Sequence, residues 1–214
     1  MSSPRKNKIE SAIKNGSHDI SIVRGRVDDG PAVLNLLDTA VAWLASQDRT
    51  GQWGASSFSQ NPKRVEQITE FATSGHGIWL AIKNTTDTHT EDQNELHVAQ
   101  PQIINERSSG SVIGALAIGD RSDYVAPVSE PELYIRLLVT DRQCAGHGIG
   151  KRLLDHAREL ANRAGISLLR VDCYAGDDGK LVKYYEPQGF ERVESSTMNG
   201  DWPCQVLAQR LNHE

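Results

Sequence analysis

One segment constrains the fold of this chain more than any other. The apolar run 137–139, Leu-Leu-Val, leads into a glycine-rich turn that opens directly into an amphipathic helix. Gly146, Gly148 and Gly150 leave backbone N–H groups unshielded, and the helix start adds unpaired N–H groups and the positive end of its dipole. A strand, turn and helix in this order bind phosphate oxygens, and Lys151 adds positive charge beside them. The segment predicts a pyrophosphate-binding loop, which we call the cradle (residues 145–151).

Two familiar phosphate-binding loops do not fit the cradle. A Walker A loop would need glycine at position 145 and serine or threonine at position 152, where the chain has Ala145 and Arg152. A dinucleotide fingerprint would need a third glycine at the position of Lys151. The remaining pattern resembles the pyrophosphate loop of the GNAT superfamily of N-acetyltransferases, Arg/Gln-x-x-Gly-x-Gly/Ala. Ala145 takes the Arg/Gln position in the register set by the helix, whereas Gln143 fits two residues earlier, and both registers stay open.

A second motif lies downstream and extends the resemblance. The stretch 166–174 is strand-like, residues 175–179 interrupt it, and a short helix begins near Lys180. The sequence 185–190, Tyr-Glu-Pro-Gln-Gly-Phe, then resembles the Tyr-x-x-x-Gly-Phe signature that closes the coenzyme site of GNAT proteins. Where that family usually has asparagine seven residues before the tyrosine, this chain has Asp178, which keeps a helix N-cap but alters any side-chain contact to the coenzyme.

Hydrophobic periodicity and turn residues predict an α/β (α+β) chain. The predicted strands span 20–24, 77–84, 111–119, 132–140, 167–174, 189–195 and 203–211, and the predicted helices span 30–46, 62–73, 149–164 and 179–186. This order is similar to that of GNAT proteins, which implies a mixed central sheet with splayed parallel strands, flanked by helices. We expect one GNAT-like domain over 18–214, a flexible tail over 1–17, and a polar, mobile insertion over 85–109.

The resemblance also implies how a coenzyme would bind. In GNAT folds the two central parallel strands, here 132–140 and 166–174, splay apart, and the pantetheine arm pairs with strand backbone between them. A backbone N–H near Leu138 or Val139 would then polarise the thioester carbonyl. The residues implied to contact acetyl-CoA, the co-substrate, are Leu137, Leu138, Val139, Ala145, Gly146, His147, Gly148, Ile149, Gly150, Lys151, Asp178 and Tyr185.

Acyl transfer to an amine needs a proton donor for the departing thiolate and a proton acceptor for the amine. Tyr185 is the candidate catalytic acid, and its alternative role is that of a core tyrosine, whereas its neighbour Tyr184 is expected only to pack. An alkylamine is mostly protonated at neutral pH, so a carboxylate or a water relay should deprotonate it. Glu132 is the candidate base and Asp172 its alternative, although either could be a salt-bridged residue. Trp53, in a loop with glycines on both sides, is the candidate for the acceptor pocket.

Composition excludes several classes of function. The net charge of −5 and the lack of a Lys/Arg block on any predicted helix argue against nucleic-acid binding and mildly favour a cationic acceptor. No apolar run approaches the length of a membrane span, and no secretory signal is visible. The three cysteines lack metal-ligand spacing, which indicates a reduced, cytoplasmic protein without a metal.

The sequence therefore predicts an acetyl-CoA-dependent N-acetyltransferase that acts on the primary amine of a small molecule. Direct attack in a ternary complex is favoured over a covalent acyl-enzyme, because no activated nucleophile is visible. Two alternatives stay open: a non-catalytic acyl-CoA-binding sensor or scaffold, and a protein acetyltransferase acting on lysines or N-termini. Whether the chain forms a homodimer also stays open.

Overall fold

The computed structural model describes residues 20–84, 110–198 and 201–212. Within these ranges, one sheet of seven strands lies between helices on both of its faces. The strands are β1 (Ile20–Arg24), β2 (Ile78–Asn84), β3 (Gly110–Gly119), β4 (Glu132–Thr140), β5 (Leu168–Tyr174), β6 (Glu191–Met198) and β7 (Trp202–Arg210). The helices are α1 (Gly30–Ser46), α2 (Pro62–Thr73), α3 (Ile149–Arg163) and α4 (Lys180–Tyr185). The predicted tail (1–17) and the predicted insertion (85–109) lie outside the described residues.

The sheet is mixed, with strand order β1-β2-β3-β4-β5-β7-β6. Among the described strands, β4 and β5 form the parallel pair and every other neighbouring pair is antiparallel. Asn84 pairs with Gly110, so the segment 85–109 joins the paired ends of a hairpin. The predicted fold class, a mixed central sheet flanked by helices, is confirmed. Every predicted element is present, and no bound shifts by more than three residues.

The helices form because their apolar residues recur on one face and cover the sheet. Helix α1, with α2, covers one face through Val33, Leu36, Leu37, Ala40, Val41 and Leu44. Helix α3 covers the opposite face through Ile149, Leu153, Leu154, Ala157 and Ala161. The middle of β3 is fully buried between the two helical layers. No helix in the described ranges has both the length and the apolar content needed to cross a membrane.

Strands β4 and β5 separate halfway along their length. Their parallel pairing starts at Glu132 and ends at Ile135 of β4. On the other edge of β4, the register to β3 shifts immediately after this point, so that Arg136 is an extra, bulged residue. Because a bulge bends the strand that carries it, β4 turns away from β5 here. The opening between β4 residues 136–140 and β5 residues 172–174 is called the gap.

Candidate active site

The cradle presents unpaired backbone amides at the start of α3. Gly146 and Gly148 have φ values of +82° and +70°, a left-handed conformation that glycine adopts without strain. The first amide to bond back inside the helix is that of Arg152, which donates to the carbonyl of Gly148 at 3.0 Å. The amides of residues 149–151 therefore have no acceptor within the helix. A Cβ added at Gly146 or Gly148 would meet no atom within 4 Å, so the space above the turn is open.

The side chains of the cradle contribute less than its backbone. The Lys151 ammonium lies 2.7 Å from the Asp155 carboxylate one turn along α3, and the His147 Nδ1 lies 3.1 Å from the Cys144 carbonyl. Ile149 is buried and anchors the helix on the sheet, so its amide, not its side chain, faces the open turn. In the register set by the helix, Ala145 offers a methyl group where the family pattern has a polar side chain. Anion binding here would rest on the N–H groups and the helix dipole.

Backbone groups of β4 line the gap between the two strands. The amide of Asp141 donates to the Ile113 carbonyl on the β3 side at 2.9 Å. Since backbone amides alternate between the two edges of a strand, those of Thr140 and Leu138 point the other way, into the gap. Leu137 and Leu138 are only half buried although they lie mid-sheet, because β5 no longer covers them. An extended ligand could pair with this exposed edge as an additional strand would.

Tyr185 lies at the inner end of the gap and lines its cavity. Its side chain is buried, with its ring packed edge-on against Tyr184 at 5.3 Å and Phe190 at 5.5 Å between centroids. Burial, followed by the nearby Cys173 thiol, raises the pKa of Tyr185 well above its ordinary value. The phenol is therefore protonated throughout the physiological pH range, as a proton donor must be.

Tyr184 is closer to the cradle than the sequence suggested. Its hydroxyl occupies the space that a Cβ at Gly150 would need. Gly150 is therefore required for close packing, while Gly148 is required for its backbone conformation. No motif in the sequence indicates this contact, because it joins α4 to the first turn of α3.

Asp172 of β5 faces the same cavity as Tyr185. The Tyr124 and Tyr134 hydroxyls each donate a hydrogen bond to this carboxylate, both at 2.8 Å. Burial, with the Asp172 charge as a further cause, raises the pKa of both phenols above the ordinary range. The Asp172 carboxylate thus accepts hydrogen bonds from two neutral donors, and no cation in the described part of the chain lies within ion-pair distance of it. Burial also raises the pKa of the adjacent Cys173 thiol to about 12, so this thiol is not an activated nucleophile.

Glu132, the carboxylate first favoured as the base, lies elsewhere. It is at the start of β4, where the strand still pairs with β5, and its Oε2 accepts a hydrogen bond from Arg170 at 3.0 Å. Arg170 is buried, with 3% of its surface exposed. Glu132 therefore neutralises a buried guanidinium, and the structure does not bring it to the cavity that holds Tyr185 and Asp172.

Asp178 lies just before α4 and connects two loops. Its Oδ1 accepts a hydrogen bond from the Lys180 amide at 3.1 Å and lies 3.2 Å from Arg49 Nη2. Hydrogen bonding from Lys180 lowers the pKa of Asp178. The N-cap of α4 is Gly179, without a side-chain cap hydrogen bond, so the expected N-cap role of Asp178 is wrong by one residue. Its carboxylate instead accepts from the first helical amide and is shared with the loop that follows α1.

The acceptor side of the cavity has aromatic walls. Trp53 lines it as expected and packs edge-on against Phe58, with 5.5 Å between ring centroids. Trp202 closes the opposite side, where its Nε1 donates to the Gln52 carbonyl at 3.0 Å. The cavity measures about 510 Å³. The charged and aromatic lining residues that sequence reasoning missed are Arg64, Phe71, Tyr124, Arg136 and Tyr174.

Only one of these missed residues left a sequence signal. Arg136 interrupts the otherwise apolar run of β4, and a charge in the middle of a buried strand indicates a bulge or a site. The others come from separate segments without a local pattern. No group of three or more His, Cys, Asp or Glu side chains in the described part of the chain is arranged to hold a metal ion.

Solved structures share this fold. An acetyltransferase of the GNAT family from Listeria monocytogenes superposes with a TM-score of 0.58 at 17% identity, covering 92% of this chain and 97% of that one. For yncA of Salmonella typhimurium, described with its cofactor acetyl-CoA, the TM-score is 0.56, the identity 13% and the coverage 91% and 95%. The NatC complex, bound to Gag peptide and CoA, gives a TM-score of 0.53 at 16% identity, covering 91% and 99%.

Identities this low establish the fold alone, and comparison with curated protein sequences finds no match. The acetyltransferase (GNAT) family, however, matches residues 65–190 directly, which is more than half of the chain and includes the gap, the cradle and the Tyr185 motif. The chain therefore belongs to the GNAT acetyltransferase family.

Proposed function

We propose that this protein transfers an acetyl group from acetyl-CoA to the primary amine of a small molecule, by direct attack in a ternary complex. One observation supports this most: the gap between β4 and β5 leads from the cradle to a cavity that contains a buried phenol and a carboxylate. A thioester donor and an amine acceptor could enter this cavity from different sides and meet between Tyr185 and Asp172.

The donor would bind mainly through backbone groups. The pyrophosphate would lie on the amides of residues 149–151, and the pantetheine arm would extend along the exposed edge of β4. The amide of Leu138 points into the gap and is the proposed donor to the thioester carbonyl oxygen, where negative charge develops as the amine attacks. A fixed donor of this kind requires no reorganisation during the reaction.

The chemical step needs two proton transfers. The amine nitrogen attacks the carbonyl carbon and forms the C–N bond, and Asp172 accepts the proton that the nitrogen loses. The C–S bond then breaks, and the thiolate leaves with the proton of the Tyr185 hydroxyl. Burial raises the pKa of Tyr185. A thiolate that forms in the same buried cavity is destabilised for the same reason, so the proton can pass from the phenol to the thiolate. Proton return from Asp172 to Tyr185 restores the enzyme.

Asp172 is proposed as the base in preference to Glu132 because of its surroundings. Asp172 lines the cavity and interacts with neutral phenols, whereas Glu132 is bound to Arg170 at the closed end of the strand pair. We expect Asp172→Asn to lower kcat/KM about 100-fold without changing acetyl-CoA affinity. Glu132→Gln retains an acceptor for Arg170, and its kcat/KM should stay within about threefold of the wild-type value.

A small acceptor is favoured by the loop between α1 and α2. Gly51, Gln52, Trp53 and Phe58 of this loop line the cavity, and the Trp202 hydrogen bond to Gln52 attaches the loop to β7. An open groove for a peptide would require this loop to lie elsewhere. A protein acceptor remains the second candidate, since NatC, which shares the fold, is described with a bound peptide.

The test is thiol release from acetyl-CoA with matched panels of small amines and of peptides. Release with small amines above the protein-free rate is expected, together with little or no release with peptides. Acetyl-CoA binding without turnover of either panel would instead identify a sensor. Turnover of peptides alone would identify a protein acetyltransferase.

A further inference from the structure

Two arginines line the acceptor side of the cavity without a carboxylate partner among the described residues. Arg64 of α2 lies over the Phe58 ring, 4.7 Å from its centroid, and donates to Gln67 Oε1 at 3.0 Å. Arg136 of the β4 bulge lies 5.7 Å from the Phe71 centroid and donates to the Asp120 carbonyl at 2.7 Å. Each guanidinium therefore has neutral partners only, within the part of the chain that the structure describes.

Arg64 is exposed and Arg136 is half buried, and three buried or half-buried arginines elsewhere in the described chain are neutralised by carboxylates. Arg170 pairs with Glu132 at 3.0 Å, Arg158 with Asp155 at 2.6 Å, and Arg49 with Asp177 at 3.6 Å. A partly buried charge is costly unless it is paired. Arg136 is half buried and is held in place by an aromatic face and a carbonyl, both of which leave its charge uncompensated. Arg121, also half buried, likewise bonds only to carbonyls, but Arg136 and Arg64 differ from it because they line the cavity, where an anionic group of a ligand can reach them.

The two arginines are too far from the cradle to serve it. Four strand residues separate Arg136 from the end of β4, which is roughly 13 Å at about 3.3 Å per residue. Arg64 lies on α2, on the other face of the sheet from α3. The anion that they would bind is thus part of the acceptor, not the pyrophosphate of the coenzyme.

The same cavity contains Asp172, to which the amine of the acceptor would lose its proton. The cavity thus has a carboxylate that suits an amine and two guanidinium groups that suit an anion. From this arrangement, and resting on the acetyl transfer proposed above, we infer that the acceptor is an amine that also carries a carboxylate. Arg136 and Arg64 bind that carboxylate, and the aromatic walls hold the body of the molecule. The local charges of the cavity thereby favour an acceptor with both charges, whereas the negative net charge mildly favoured a cationic one.

The first experiment compares acceptors that differ by one carboxylate. L-phenylalanine is compared with 2-phenylethylamine, and L-leucine with 3-methylbutylamine, at acceptor concentrations corrected for the free-amine fraction. The carboxylated member of each pair should have a kcat/KM about tenfold higher or more, mainly through a lower KM. Arg136→Met should remove most of this preference, because it should raise the KM of the carboxylated acceptor much more than that of the uncarboxylated amine. Arg64→Met should act in the same direction.

The control variant is Arg163→Met. Arg163 lies at the exposed end of α3, where it pairs with Glu159 at 3.4 Å, and its loss should change neither KM. Arg136→Lys keeps the charge but not the bidentate geometry and should restore part of the preference. Circular dichroism of each variant separates a loss of binding from a loss of fold.

A second measurement does not depend on turnover. The tryptophan fluorescence, to which Trp53 and Trp202 of the cavity contribute, is titrated with 3-phenylpropanoate and with 3-phenylpropanamide, which lack an amine. The carboxylate should bind about tenfold more tightly or better, and Arg136→Met should abolish the difference. Equal binding of the two probes, or a carboxylate preference that survives in the folded Arg136→Met and Arg64→Met variants, would overturn the inference. Efficient turnover of uncarboxylated amines alone would also overturn it, while leaving the proposed acetyl transfer intact.

Discussion

The cradle and the acceptor wall of the same active site are built in different ways. The cradle is a continuous run of seven residues, 145–151, whose ligand-binding groups are backbone amides. The acceptor wall takes single side chains from distant segments: Trp53 from the loop between α1 and α2, Arg64 from α2, Tyr124 from the loop before β4, Arg136 from the β4 bulge, and Trp202 from β7.

This difference teaches how the fold separates two tasks. Backbone donors recognise a part that every acyl-CoA shares, so the cradle needs glycines and a helix start but few particular side chains. An acceptor must be distinguished by its shape and charge, which requires side chains, and these can change without disturbing the sheet. Acetyl-CoA binding should therefore be sensitive to a single group added to the cradle. Substitutions in the acceptor wall should instead change acceptor selectivity in small steps.

The largest expected effect comes from adding a charged side chain to the cradle. Gly148→Asp should weaken acetyl-CoA binding roughly 100-fold or more, because a carboxylate enters the site of the pyrophosphate. The matched control is Gly165→Asp beyond the other end of α3. Both glycines have positive φ, +70° and +67°, and no atom within 4 Å of an added Cβ. The backbone strain is thus similar, and only the first variant should lose affinity in calorimetry. Equal affinities in the two variants would show that the cradle does not bind the coenzyme.

The same contrast explains what the sequence could predict. The cradle was recognisable because its strand, glycines and helix are consecutive, and the bounds of α1 and α2 followed from apolar periodicity and turn residues. Asp172 and Arg136 could not be assigned, because their roles depend on where β4 leaves β5. Glu132 and Asp172 are indistinguishable as carboxylates on adjacent strands, and only the register places one beside Arg170 and the other in the cavity.

Tyr185 lies where the two regions meet, and its hydroxyl should act on the chemical step. Tyr185→Phe should lower kcat about 100-fold while acetyl-CoA affinity stays nearly constant, because the proton is needed only as the thiolate leaves. Tyr184→Phe is the control. It removes the hydroxyl beside Gly150 and should keep kcat within about twofold, with any loss falling on coenzyme affinity. Single-turnover rates and calorimetry on both variants measure the two effects separately. The reverse pattern would assign the acid to the neighbouring tyrosine.

The pH dependence should show the buried environment of Tyr185. A phenol with the ordinary pKa of about 10 would remain only about one-quarter protonated at pH 10.5, which would lower kcat about fourfold. Burial raises the pKa of Tyr185 well above that value, so the acid form, which is the active one, persists as the pH rises. We therefore expect kcat at saturating acceptor to hold constant from pH 8 to 10.5, after subtraction of the protein-free rate. A fall centred near pH 10 would show an exposed phenol and place the acid elsewhere.

The smallest expected effect comes from a contact between the acceptor side and the start of α4, the helix whose Tyr184 packs on Gly150 of the cradle. Arg49, just beyond α1, lies 3.6 Å from Asp177 and 3.2 Å from Asp178. It therefore attaches the loop between α1 and α2 to the segment that starts α4. Because these carboxylates are partly exposed, Arg49→Gln should lower the free energy of unfolding by no more than about 1 kcal/mol. The loop between α1 and α2 would lose these ion pairs. The acceptor KM should therefore rise about twofold while acetyl-CoA affinity stays unchanged. Arg163→Gln, which removes an ion pair within α3, provides the control. If Arg49→Gln weakened acetyl-CoA binding as much as it raised the acceptor KM, Asp178 would couple the two regions, and their separation into independent parts would fail.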